Sequence, residues 1–141
     1  MERKPILLVE DNLDDIYLTR RALEKSRFAN PLIVAQDGET ALEYASGNNP
    51  PAVILLDLNL PKLNGIEVLR RIRSNERTRD LPVVIMTSSE HDQDWITGYD
   101  LGITGYIRKP VDFVGFFGAL KDHGLQLAEM KEDGPPESAP R

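Results

Sequence analysis

The sequence predicts an α/β domain built on a parallel sheet. Three observations carry that reading. Short apolar runs alternate with amphipathic stretches five times along the chain. The runs are continuously apolar, as in strands covered on both faces, instead of alternating in and out. The length, 141 residues, suits about one ordinary domain.

The elements follow in order. Ile6-Leu7-Leu8-Val9 is the first strand, and residues 12–25 form a helix with Ile16, Thr19, Ala22 and Leu23 at helical spacing. Leu32-Ile33-Val34-Ala35 is the second strand. A short helix over 38–45 turns Ala41, Leu42 and Ala45 inward. Residues 52–56, Ala-Val-Ile-Leu-Leu, are the most apolar strand and therefore central. A helix over 65–73 lines up Ile66, Leu69 and Ile72. The fourth strand spans 81–86, with Pro82 tolerated near its start. A fourth helix is expected over 91–101, closed by Gly102 as C-terminal cap. Residues 105–108 form the fifth strand. Asp112 caps a fifth helix carrying Phe113, Phe116, Phe117 and Leu120. Parallel strands with intervening helices imply right-handed crossovers.

Composition narrows the function. The chain is 40% hydrophobic and 28% charged, the balance of a globular domain, and a domain of this size buries about two-thirds of its unfolded surface. It has no Cys, which excludes a disulfide scaffold, a thiolate zinc site and a Cys nucleophile. A net charge of −6 repels a phosphate backbone, so nucleic acid is not an expected partner. No apolar run approaches a membrane span, and the N-terminus is too brief for a secretory signal, so a cytoplasmic location and no membrane partner are expected. The structured domain is expected over 5–130. The tail at 131–141 is Pro-, Gly- and charge-rich and is expected to be disordered. No Gly-x-Gly-x-x-Gly or Walker motif signals a nucleotide.

In such sheets ligands bind beyond the carboxyl ends of the strands. Those ends carry Glu10-Asp11, Asp57, Thr87-Ser88 and Lys109-Pro110. Each residue alone has a bland reading: a turn or cap aspartate, a solvated lysine, a β-forming threonine. Asp14 or Asp15 suits such a structural role. Together, at the ends of four strands, they form a constellation. Two like charges about 4 Å apart repel by about 4 kcal/mol at an effective dielectric of 20. Three carboxylates therefore require a cation or a raised pKa. With no thiolate and only two His, oxygen ligands dominate, and magnesium fits best.

Four motifs then resemble the receiver domain of bacterial two-component response regulators. They are Leu8-Val9-Glu10-Asp11-Asn12, Asp57-Leu58-Asn59-Leu60-Pro61 with Gly65, Met86-Thr87-Ser88, and Tyr106-Ile107-Arg108-Lys109-Pro110. The resemblance implies a flavodoxin-like, doubly wound five-stranded parallel sheet of order 2-1-3-4-5 with five helices. It makes Asp57 the phosphoacceptor. It assigns magnesium to Glu10, Asp11, Asp57 and the carbonyl of Asn59, with Glu10 acting through a water. Thr87 donates its hydroxyl to a phosphoryl oxygen, Ser88 keeps that access open, and Lys109 pairs with the phosphoryl group or with Asp57. Tyr106 changes rotamer, and the Lys109–Pro110 bond is cis. A narrower likeness, from the Leu7–Asp15 opening and the Ser88–Asp92 and Lys109–Phe113 loops, is to regulators serving bacterial phytochromes. It implies a phytochrome sensor histidine kinase as partner, an unknown downstream protein, and a homodimer through Trp95, Tyr99 and Phe116 on the face of the fourth helix, fifth strand and fifth helix.

The expected function is a phosphorylation-controlled signalling domain that catalyses only its own phosphotransfer and dephosphorylation. Moving a two-state loop from 1:99 to 99:1 takes about 5.5 kcal/mol. One hydrogen bond to a charged group supplies roughly 1.5–3 kcal/mol, so Thr87 needs the lysine and aromatic repacking beside it. Two alternatives stand beside this reading. A magnesium phosphatase resembling the haloacid dehalogenases wants Asp-x-Asp, whereas Asn59 cannot protonate a leaving group. A receiver-like binding module that is never phosphorylated does not require the intact constellation.

Overall fold

The structure, a computed structural model, describes residues 4–26, 28–88, 101–110 and 118. The elements run β1 (Ile6–Val9), α1 (Leu13–Ser26), β2 (Leu32–Ala35), α2 (Gly38–Ala45), β3 (Val53–Asp57), α3 (Gly65–Ser74), β4 (Val83–Thr87) and β5 (Gly105–Arg108). The five strands form one parallel sheet in the order β2-β1-β3-β4-β5. The strand order reverses between β1 and β3, which opens a crevice at their carboxyl ends.

The continuous apolar runs are explained by two cores, one on each face. Successive side chains in a strand point to opposite faces. Leu7, Val9, Ile54, Leu56, Val83 and Ile85 pack with Ala41 and Ala45 of α2 and with Val68, Leu69 and Ile72 of α3. Ile6, Leu8, Val53, Leu55, Val84, Met86 and Ile107 take the other face, under Ile16, Ala22 and Leu23 of α1. At roughly 1.5–3 kcal/mol for each fully buried large aliphatic side chain, this two-sided burial dominates the stability.

Helix starts are set by side-chain caps. Asn12 Oδ1 accepts from the Asp15 N–H at 3.0 Å, Asp37 Oδ1 from Thr40 at 2.8 Å, and Asn64 Oδ1 from Glu67 at 3.0 Å. The structural role expected of Asp14 or Asp15 therefore belongs to Asn12. Gly65 is required by a close approach: a Cβ there would lie 2.5 Å from Leu58 Cα and 2.6 Å from the Asp57 carbonyl oxygen. Gly102 has φ +65°, the left-handed conformation a C-terminal cap uses.

Two expectations change. The third and fourth strands run later than read, because the ladder continues through the pairs Asp57↔Met86 and Thr87↔Arg108. Asp57 and Thr87 are thus the last residues of rigid strands, not the first residues of loops. The expectation of five helices is also corrected: the described residues hold three. The stretches read as the fourth and fifth helices, 91–101 up to residue 100 and from Asp112 apart from residue 118, lie outside the described residues. The five-helix reading rested on alternation. Alternation implies a connection between successive strands but does not by itself make each connection a helix. Among the described residues no helix is long and apolar enough to cross a membrane.

Candidate functional site

The crevice beyond β1 and β3 collects the charged residues. Glu10 follows β1 and is fully buried; its Oε2 accepts a 3.3 Å hydrogen bond from the Asn12 N–H, which ties it to the start of α1. Asp57 closes β3 and is also buried, and its Oδ1 accepts from the Asn59 N–H at 3.1 Å. That bond fixes the carboxylate against the turn leading to α3. Lys109 follows β5, and its backbone N–H donates to the Thr87 carbonyl at 3.0 Å. Its ammonium lies 2.8 Å from Glu10 Oε1, 2.8 Å from Asp15 Oδ2 and 3.2 Å from Asp57 Oδ2. Asp11, Asn12, Asp15, Asp57, Asn59, Ser88 and Lys109 line one open pocket.

The electrostatics follow from this crowding. Burial, and then the neighbouring Asp57 carboxylate, raise the Glu10 pKa from 4.5 to about 7, against the opposing pull of Lys109. Burial works against the Lys109 ammonium. Its contacts with Asp15 and Glu10, and the charges of Asp57 and Glu10, nevertheless hold its pKa above the ordinary lysine value. Lys109 stays charged, and one ammonium faces three carboxylates.

The donor set suits a divalent cation. Glu10, Asp11 and Asp57 each offer a carboxylate oxygen, all within 4.8 Å of one another. Glu10 Oε1 is buried and accepts no hydrogen bond, although the Lys109 ammonium is its ion-pair neighbour. An all-oxygen set with one solvent-exposed member, Asp11, is what a hard cation takes.

The chain matches the response regulator receiver domain family over residues 6–121. It is 41% identical over 113 residues to the probable methanogenesis regulatory protein FilR2 of Methanothrix harundinacea, covering 77% of this chain and 73% of that one. It is 40% identical over 112 residues to the response regulator Rcp1 of Synechocystis sp., covering 75% and 76%. Among solved structures, the bacteriophytochrome response regulator RtBRR is similar with a TM-score of 0.85 and 46% identity, over 96% of this chain and 86% of that one. The manganese-bound form of Rcp1 is similar with a TM-score of 0.70 and 33% identity, over 98% of each chain. The chain belongs to the response regulator receiver domains. Within that family it is closely related to phytochrome-associated response regulators.

The receiver domain brings together most of the residues singled out in its sequence. Glu10, Asp11, Asp57, Asn59, Ser88 and Lys109 share the pocket or its floor. Thr87 is buried at the end of β4, next to β3. Tyr106 sits in β5 opposite Ile85, half-buried against the core under α2 and α3. The Lys109–Pro110 bond is cis. Trp95, Tyr99 and Phe116, the expected dimer face, lie outside the described residues. The sequence suits Asp14 or Asp15 to a structural role, yet the Asp15 carboxylate holds the site lysine. Its position in the first turn of a helix that begins at the pocket's edge was the available signal.

Proposed function

We propose that Asp57 accepts a phosphoryl group from a sensor histidine kinase and that the added charge changes the domain's protein contacts. The observation that carries this reading is the placement of Asp57 within an oxygen-rich cation cradle and 3.2 Å from the Lys109 ammonium. One Asp57 carboxylate oxygen attacks phosphorus. The phosphorus–nitrogen bond to the kinase histidine breaks, and its electron pair returns to the imidazole. The Asn59 N–H holds the carboxylate's orientation, so the attack needs little reorganisation. Lys109 offsets charge on the phosphoryl oxygens, and the Thr87 hydroxyl donates to one of them. Magnesium suits Glu10, Asp11, Asp57 and the Asn59 carbonyl, and when bound it neutralises phosphoryl charge.

The narrower reading is a phytochrome kinase as the phosphoryl source, supported by the likeness to RtBRR and Rcp1. It includes a homodimer using Trp95, Tyr99 and Phe116. Sedimentation of the Trp95→Ala and Phe116→Ala chains tests that part, and an unchanged coefficient excludes it. The main test is intact mass after incubation with acetyl phosphate and magnesium. One phosphoryl mass should appear, and Asp57→Asn should abolish it. A wild-type chain that gains no mass is instead a binding module that is not phosphorylated.

A further inference from the structure

Asp15 belongs to none of the four receiver-domain motifs, yet it makes the best-formed contact in the site. Lys109 Nζ donates a 2.8 Å hydrogen bond to Asp15 Oδ2. Glu10 Oε1, also 2.8 Å away, accepts no hydrogen bond, and Asp57 Oδ2 is more distant at 3.2 Å. The Asp15 backbone is held at both ends. Its N–H donates to Asn12 Oδ1 at 3.0 Å, and its carbonyl accepts from the hydroxyl of fully buried Thr19 at 2.8 Å. The carboxylate is therefore presented from a fixed turn of helix, where the helix dipole favours negative charge. Its side chain is 23% exposed, so it grips the ammonium from the solvent side of the pocket.

We infer that Asp15 is a positioning residue that holds the Lys109 ammonium on the α1 side of the site, in competition with whatever anion occupies Asp57. This inference rests on Asp57 being the phosphoacceptor. In the unphosphorylated domain Asp15 keeps Lys109 from closing fully on Asp57, which leaves that carboxylate open to attack. A phosphoryl group must then draw Lys109 away from Asp15. Asp15 thus sets how readily the phosphorylated state wins, and it does so only through the lysine.

Asp15→Asn keeps the size and one acceptor oxygen but removes the charge. Charge-assisted hydrogen bonds are about twice as strong as neutral ones. The acetyl phosphate concentration giving half-maximal phosphorylation in magnesium, read by intact mass on the full chain, should fall by roughly three- to tenfold, the range for trading a charged for a neutral hydrogen bond. Asp15→Glu should return it toward wild type. In a Lys109→Met background the Asp15→Asn change should have no effect, as a double-mutant cycle requires of a residue acting through its partner. A second readout needs no phosphorylation. Acylation of lysines by an amine-reactive ester, mapped by peptide mass, should speed up at Lys109 in Asp15→Asn by about threefold or more on the same argument, with Lys62 as internal reference. An unchanged half-maximal concentration in Asp15→Asn, an equal shift in the Lys109→Met background, or unchanged Lys109 acylation overturns the inference. If the wild-type chain gains no mass, the proposed function fails, and this inference falls with it. A phosphorylated wild type with no Asp15 effect sinks this inference alone.

Discussion

Lys109 Nζ lies 3.2 Å from Asp57 Oδ2, although β5 and β3 are separated in the sheet by β4. The contact spans a strand because both side chains extend past the sheet's carboxyl edge. It makes one cation the counter-charge for the buried Glu10 and Asp57 carboxylates and for half-buried Asp15. Removing one partner of a buried ion pair costs roughly 3–5 kcal/mol. Lys109→Met is expected to lower the unfolding free energy by about 3 kcal/mol in chelator-treated buffer, toward the low end because the site opens to solvent. Magnesium should recover part of that loss. Urea unfolding with and without the cation measures both, and an equal loss in the two buffers contradicts the shared-cation account.

Arg73 ties two loops, those leading into β4 and β5, to the end of α3. Its Nε donates to the Leu101 carbonyl at 3.0 Å and Nη2 to that of Gly102 at 2.7 Å, while Nη1 reaches the carbonyls of Arg79 and Leu81 at 3.0 and 2.8 Å. The guanidinium fork therefore anchors the entry to β5 onto the end of α3. Arg73→Met is expected to cost about 2–3 kcal/mol by urea unfolding, since it orphans several carbonyls at once. Arg73→Lys should recover less than half, because an ammonium cannot reproduce the planar fork.

Gly65 is the closest backbone approach beside the site. Its N–H donates to the Leu58 carbonyl at 3.0 Å, so the start of α3 is pressed onto the residues that carry Asp57. A methyl group there meets backbone atoms, which do not rotate away. Gly65→Ala is expected to destabilise by about 2 kcal/mol, as overpacking does. It should also slow phosphorylation by acetyl phosphate, because Asp57 shifts with Leu58. A variant that unfolds more easily yet phosphorylates at the wild-type rate contradicts that link.

Asp37 supplies a pH-dependent cap. The Thr40 N–H holds its carboxyl below the ordinary value of 3.8. A carboxylate with a depressed folded pKa stabilises above the unfolded value, and that contribution is lost as pH falls through the folded one. Asp37→Asn keeps an acceptor but not the charge. The stability gap between wild type and Asp37→Asn should therefore be largest near neutral pH and shrink below about pH 3.8. Urea midpoints across that range test it, and a gap independent of pH contradicts it.

The strands were legible because burial on both faces leaves a continuous apolar run that no helix or loop of this composition needs. The three described helices were legible for the complementary reason, a regular apolar stripe. Their exact starts were less so: Asn12, Asp37 and Asn64 compete with neighbouring polar residues for the capping role, and only backbone geometry chooses among them. The ends of β3 and β4 were misjudged because Asp57 and Thr87 are polar, while the ladder that includes them is set by the partner strands. Alternation overreached in counting helices, since it registers connections without showing how each one is built.

The sequence by itself determined the α/β class, the residues that converge on one edge and the family to which they belong, because these follow from hydrophobic period and from residue types at strand ends. The tertiary structure alone decided that Lys109 is shared among Glu10, Asp15 and Asp57, and that Asp15 serves the site while Asn12 caps the helix. Periodicity is a local property and can be read along the chain. The division of one charge among carboxylates from distant segments is set by ångström-scale separations, and those exist only once the sheet has brought the segments together.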